Sequence, residues 1–181
     1  MKLFCIIIFV IVVICFILFL CASIYNKFQE LTIKTNEVEA NIDTTLRKRF
    51  DLLNKSINII KANTVVEGDI LELIVKLRSR KLSNFELDRQ LYEAINEFNS
   101  YKELYPELME SDTFVKINAS LNESENEIIA LRKYYNDTIT EYNRLVKKFP
   151  SNIIAIMYNH KEKAYYDGKN MNDDIINDFK L

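Results

Sequence analysis

Two glycines, two prolines, one histidine and no tryptophan occur among 181 residues. So few chain breakers exclude a β-rich fold, which needs turn residues at short intervals. Cys5, Cys15 and Cys21 all fall inside one apolar run, so the rest of the chain carries neither a disulfide framework nor a thiolate metal site. A single histidine, His160, cannot supply a paired-histidine metal motif. It stands among Lys161, Glu162 and Lys163 and reads as a solvated residue near the end of the last helix. No nucleophile elbow or phosphate-cradling loop accompanies it, since Gly68 and Gly168 stand alone. No catalytic residue, metal ligand or cofactor is therefore expected.

What is present begins with an uncharged stretch from Leu3 to Asn26, flanked by Lys2 and Lys27. As a helix it is roughly 36 Å long, against a hydrocarbon core of about 30 Å. The preferred reading is a retained single-span anchor over residues 1–26, which meets the lipid bilayer through residues 3–26. Two rivals stay open. A signal peptide cleaved near Ser23 would have a shorter apolar core, of about 7–15 residues. A lipoprotein modified at Cys21 would need a small residue where Leu20 stands. Lys27, Lys34, Arg47, Lys48 and Arg49 outnumber the positive groups before the run, which places the body in the cytoplasm and the short N-terminus outside.

Without Lys2, the body holds 23 basic and 26 acidic residues, with the signs interspersed. That balance gives no broad basic face, and no nucleic-acid partner is expected. Apolar residues recur at helical spacing: Phe28, Leu31, Thr35, Val38, Ile42, Thr45 or Leu46, Leu53, Ile57 and Ile60 share one face. With no glycine or proline before it, this face predicts one helix from about residue 3 to about residue 63. Thr64-Val65-Val66-Glu67 reads as a capping box for a second helix. Its phase is unclear from Ser79 to Arg89 and resumes at Leu91, Ile95 and Phe98. Pro106 marks a turn.

A third helix runs on a heptad-like seam through Phe114, Ile117, Leu121, Ser124, Ile128, Leu131, Tyr135, Thr138, Tyr142, Leu145 and Phe149, as in a coiled coil. Pro150 ends it. Ser151 then starts a short fourth helix expected to reach about Tyr166, with Gly168 beyond its end. The predicted fold is all-α: a transmembrane helix continuing into an elongated antiparallel bundle of three long helices plus a short fourth. The bundle spans 27–166, and 167–181 form a polar tail.

Two blocks of residues carry a family resemblance. The first is Val38-Glu39-Ala40, Ile42-Asp43 and Leu46-Arg47-Lys48-Arg49-Phe50-Asp51-Leu52. The second is Tyr105-Pro106-Glu107-Leu108, Phe114, Leu121, Glu125-Asn126, Arg132, Tyr134-Tyr135-Asn136, Tyr142-Asn143, Phe149-Pro150 and Ile154-Ala155. In order and spacing the chain resembles the LemA family of bacterial membrane proteins over most of residues 25–166. Lys48 replaces an arginine of that pattern, Asn54 a proline, Val66 a histidine and Asn41 a tryptophan. The resemblance implies a single-span anchor and an antiparallel helical bundle, and it brings no established catalytic activity.

Candidate partner contacts are Arg47, Lys48, Arg49 and Tyr134. The basic trio lies about 30 Å along the helix from the membrane edge. With a Debye length of about 8 Å, lipid attraction there is screened out. Salt bridges within the body, to Asp43 and Asp51 for instance, are the plainer reading of the trio, and contact with a protein partner the sharper one. Tyr134 lies off the seam and faces outward. The Asn-x-Ser/Thr triplets at Asn54, Asn118, Asn122 and Asn136 are expected by chance in so asparagine-rich a chain. The functional expectation is a membrane-anchored, non-enzymatic helical interaction or scaffold protein with an unidentified protein partner. The alternatives are a ligand-binding or enzyme-accessory helical domain lined by tyrosines, and a bundle secreted after cleavage near Ser23.

Overall fold

The structure, a computed structural model, describes residues 1–63 and 83–166. All regular secondary structure among the described residues is helical. Helix α1 spans Lys2–Asn63, α2 spans Asn84–Leu104, a 3-10 turn covers Pro106–Glu110, α3 spans Asp112–Lys147 and α4 spans Ser151–Met157. The expected cap at Thr64, the first part of the expected second helix and the polar tail lie outside the described residues. The described residues separate into two compact units. One comprises Met1–Glu37 with Tyr135–Tyr165, and the other Val38–Tyr134 with Tyr166.

The unbroken α1 follows from its sequence, which has no glycine or proline between Lys2 and Asn63. Its residues Leu3 to Leu20 are exposed, and the helix is long and apolar enough to cross a membrane. Beyond that run the predicted face holds at every position: Phe28, Leu31, Thr35, Val38, Ile42, Thr45, Leu46, Leu53, Ile57 and Ile60 are all buried. Thr35 Oγ1 and Ser56 Oγ donate to carbonyls four residues back, which lets polar side chains sit inside that face.

Helix α2 starts at a serine cap, Ser83, that the sequence pattern did not single out. Ser83 Oγ accepts from the Glu86 amide at 3.3 Å and donates to the Glu86 carboxylate at 3.4 Å. Its buried face is Asp88, Leu91, Ala94 and Phe98, with Ile95 only half-buried, so the expected phase is shifted by one residue there. Tyr105 breaks the chain before Pro106 as expected, and Ser111 caps α3 by accepting from the Phe114 amide at 3.4 Å. The pairing of residues ascends from α1 to α2, where Glu39 meets Asn84 and Arg49 meets Asp88. It descends from α1 to α3, where Thr45 meets Glu127 and Arg49 meets Glu125.

On α3, Phe114, Ile117, Leu121, Ser124, Ile128, Thr138 and Tyr142 are buried as the seam predicts, while Leu131, Tyr135 and Leu145 are half-buried. Phe149 is exposed, contrary to the seam. Helix α3 has already ended at Lys147, two residues earlier, so helical phase no longer aims this ring. Ser151 Oγ closes the corner by reaching the Leu145 and Lys148 carbonyls, each at 2.7 Å.

Helix α4 stops at Met157, well short of Tyr166. Asn159 adopts a left-handed backbone with φ 56°. The Asn159 amide donates to the Ile156 carbonyl at 3.2 Å, and the His160 amide to that of Ala155 at 2.8 Å. This double closure ends a helix, and asparagine tolerates it better than most residues. His160 is therefore carried out of the helix and back over the core.

In full-length protein, Leu121→Ala or Ile128→Ala should each lower stability by about 2–5 kcal/mol through loss of buried methyl groups. Asn126→Ala, at an exposed position on the same helix, should stay within about 0.5 kcal/mol. Urea denaturation followed by circular dichroism in detergent checks the contrast.

Candidate functional site

The predicted seam of α1 has one gap, between Leu46 and Leu53. Arg49 fills it. Three residues after one core leucine and four before the next, it has the phase of a buried position, and its exposure is 0%. A guanidinium is always charged, so such burial requires partners. Asp88 provides the first, one turn before Leu91 on the buried face of α2. Glu125 provides the second, next to the buried Ser124 on α3.

Arg49 Nη2 donates to Glu125 Oε2, and Arg49 Nη1 lies 3.6 Å from Asp88 Oδ1. Two turns beyond Glu125, Arg132 donates from Nε to Asp88 Oδ2 at 2.7 Å, and its Nη2 makes a second contact with the same oxygen. The result is a chain of alternating charge, Glu125–Arg49–Asp88–Arg132, drawn from three helices and neutral in sum.

Tyr166 covers the Arg132 end. Its ring lies 5.9 Å from the guanidinium carbon and meets Phe85 edge-on at 6.2 Å between centroids. Its hydroxyl donates to the Asn84 carbonyl at 3.2 Å. Burial, then the Asp88 charge, pushes the Tyr166 phenol well above its usual range. At the other end, Thr45 Oγ1 donates to Glu127 at 3.2 Å, and Lys48 pairs with that carboxylate at 3.6 Å.

Among the described residues, Arg49 Nε, Arg49 Nη1 and Asp88 Oδ1 have no hydrogen-bond partner. The last two face each other across a gap wider than a hydrogen bond, so their attraction is that of charges. Such a network adds little net stability compared with an apolar core, but losing one member strands the others. Its chemistry is that of a lock: both carboxylates are already engaged as acceptors by guanidinium groups.

The four predicted contact residues thus part company. Arg47 is exposed and pairs with Asp43 at 2.7 Å as expected, and that bond raises the Arg47 pKa. Lys48 turns to Glu127 instead of Asp51. Arg49 is enclosed and offers nothing to an external partner, because the phase of α1 points it inward. Tyr134 is half exposed.

A second cluster, in the unit that contains the apolar run, corrects the reading of His160. The imidazole stacks on Phe28 with centroids 4.4 Å apart, and its Nδ1 lies 3.0 Å from the Tyr142 hydroxyl. Desolvation, then the Lys163 charge, lowers the His160 pKa. Asn143 fixes the returning chain by donating to the Lys163 carbonyl and accepting from the Lys163 amide, both at 2.9 Å. Among the described residues no group of three or more histidine, cysteine or acidic residues could hold a metal ion.

Arg49, Glu125 and Arg132 all belong to the two blocks quoted above, and the Asn143 clamp and the Ser151 corner lie in or beside the second. The model of the LemA family matches residues 38–177. The chain belongs to the LemA family. A comparison with curated proteins gives no match. In this LemA chain the matched segment therefore contains the whole ionic lock, and the apolar run precedes it.

Arg49→Ala should cost about 3–5 kcal/mol, because Asp88 and Glu125 lose their counter-charge. The combined change Arg49→Met, Asp88→Leu, Glu125→Leu and Arg132→Met should come within about 2 kcal/mol of the parent chain. Chemical denaturation of the two variants beside the parent measures both. His160 carries its own pH signature. Its folded pKa lies below the unfolded value of about 6.5, so the unfolded chain binds more protons in between. The stabilisation is fully present above about pH 6.5 and is lost as pH falls through the folded value. Thermal melts between pH 7.5 and pH 5 (roughly the window above carboxylate titration) should show this slope, and His160→Phe should flatten it.

Proposed function

We propose that this LemA protein is a membrane-anchored, non-enzymatic helical scaffold of the bacterial envelope, tethered through residues 3–26, whose body presents charged helix faces to a protein partner. The observation that carries the reading is the continuity of α1. The exposed apolar run continues within one helix into the packed face at Phe28 and Leu31, with no glycine or proline between them. The descending contacts support a bundle in which α3 runs antiparallel to α1 and α2. Arg47 and Tyr134 are the residues of this chain best placed for partner contact, since Arg49 is enclosed.

The apolar run from Leu3 to Ala22 exceeds the core of about 7–15 residues that a signal peptide carries, which favours a retained anchor. Cys21, Ile24 and Tyr25 also pack on the core around Phe28, Tyr142 and Ile154. The excess of basic residues after the run favours a cytoplasmic body.

The protein should stay in the membrane fraction through high salt and alkaline carbonate. Release by either wash, or a mature N-terminus at Ile24, would overturn the anchor. A photo-crosslinking side chain at position 47 or 134 in living cells should capture a discrete protein partner, and one at buried Leu53 should not. Equal capture at all three positions would show non-specific labelling and remove the scaffold reading.

A further inference from the structure

Helix α4 is apolar on both faces. Ile154 and Ala155 are buried against Phe28, Leu31 and Tyr142, with Cys21, Ile24 and Tyr25 packed beside them. On the opposite face Ile153, Ile156 and Met157 stand at the i, i+3, i+4 spacing of one helical stripe and are 49%, 79% and 70% exposed. Phe149 before the helix and Tyr158 after it extend the patch. A short surface helix pays for one apolar face by burying it, and a second apolar face calls for another apolar medium.

Its place in the fold says which medium. The residues that hold α4 are the last turn of the apolar run and the first turn beyond it. A helix docked on Cys21, Ile24 and Tyr25 lies at the level where α1 leaves the hydrocarbon. Tyr25 and Tyr158 meet there at a tilt of 49°, with centroids 4.7 Å apart, in the position where tyrosines gather at membrane interfaces. Charge agrees. The body as a whole is acidic, yet residues 144–163 hold five basic groups, Arg144, Lys147, Lys148, Lys161 and Lys163, against the single acid Glu162. Basic groups flanking an apolar stripe suit the anionic headgroup layer.

We propose that the stripe Ile153, Ile156 and Met157 inserts into the headgroup–acyl boundary of the bilayer, so that α4 is a second, interfacial membrane contact beside the span. This rests on the anchor reading. It makes the corner at Phe149-Pro150 a foot by which the first unit stands on the membrane.

Single tryptophans test it, because the chain has none of its own. Phe19→Trp, Ile33→Trp and Ile156→Trp are placed one at a time in the full-length protein. Each is reconstituted in vesicles of phosphatidylcholine and phosphatidylglycerol with bromine on the acyl chain, either near the headgroup or near the chain end. Ile156→Trp should lose emission most strongly to the shallow bromines, with a blue-shifted spectrum. Ile33→Trp is exposed on α1 about 16 Å beyond Ala22 and should keep its emission. Phe19→Trp should be quenched. Quenching at Phe19→Trp without quenching at Ile156→Trp overturns the interfacial foot and leaves the anchor standing. A blue-shifted but unquenched Ile156→Trp means that protein covers the stripe, and also overturns it. An unquenched Phe19→Trp removes the anchor and the foot together.

Discussion

A guanidinium in a packed interior must be answered by carboxylates, wherever the chain has to bring them from. Arg49 sets this constraint for the second unit. Its answer comes from Asp88 on α2 and Glu125 on α3, which are far apart in sequence, and Arg132 then satisfies the remaining charge of Asp88. Sliding either helix by one turn would take from the buried Arg49 one of its two counter-ions. Apolar side chains tolerate such slips, because one leucine contact resembles another. The ionic lock discriminates among registers that the leucines and isoleucines around it would accept.

Much of the fold was legible because long amphipathic helices repeat their message every turn. The buried face of α1 could be read position by position from Phe28 to Ile60. The centre of the lock could not, because charge is ordinarily read as surface. Arg49 reads with Arg47 and Lys48 as a basic trio, although its spacing from Leu46 and Leu53 already puts it in the core. Asp88 is hidden in the same way, near the end of a stretch of unclear phase where an acid occupies a buried position. Two faults in two seams, one basic and one acidic, were the available signal.

Local chain closure accounts for the other differences. Gly168 suits a helix stop and predicts a longer α4, whereas Asn159 supplies the left-handed turn that ends it. That stop sends His160 back onto Phe28 and Tyr142, a contact no periodicity could foretell. Phe149 fitted a seam by spacing alone, but spacing carries meaning only while the helix lasts. Membership of the LemA family agrees with the helical architecture and with the apolar N-terminal helix.

The absence of any hinge in α1 has a mechanical consequence. A spanning helix adjusts to bilayer thickness mainly by tilting. Where a flexible linker follows the span, that tilt is absorbed and the attached domain does not register it. Here the same helix continues into the packing around Phe28 and Leu31, so a change of tilt must turn the first unit with it. Under the proposed anchoring, the lipid composition of the membrane becomes a steering input: thinning or thickening the bilayer would re-aim the surfaces of the first unit.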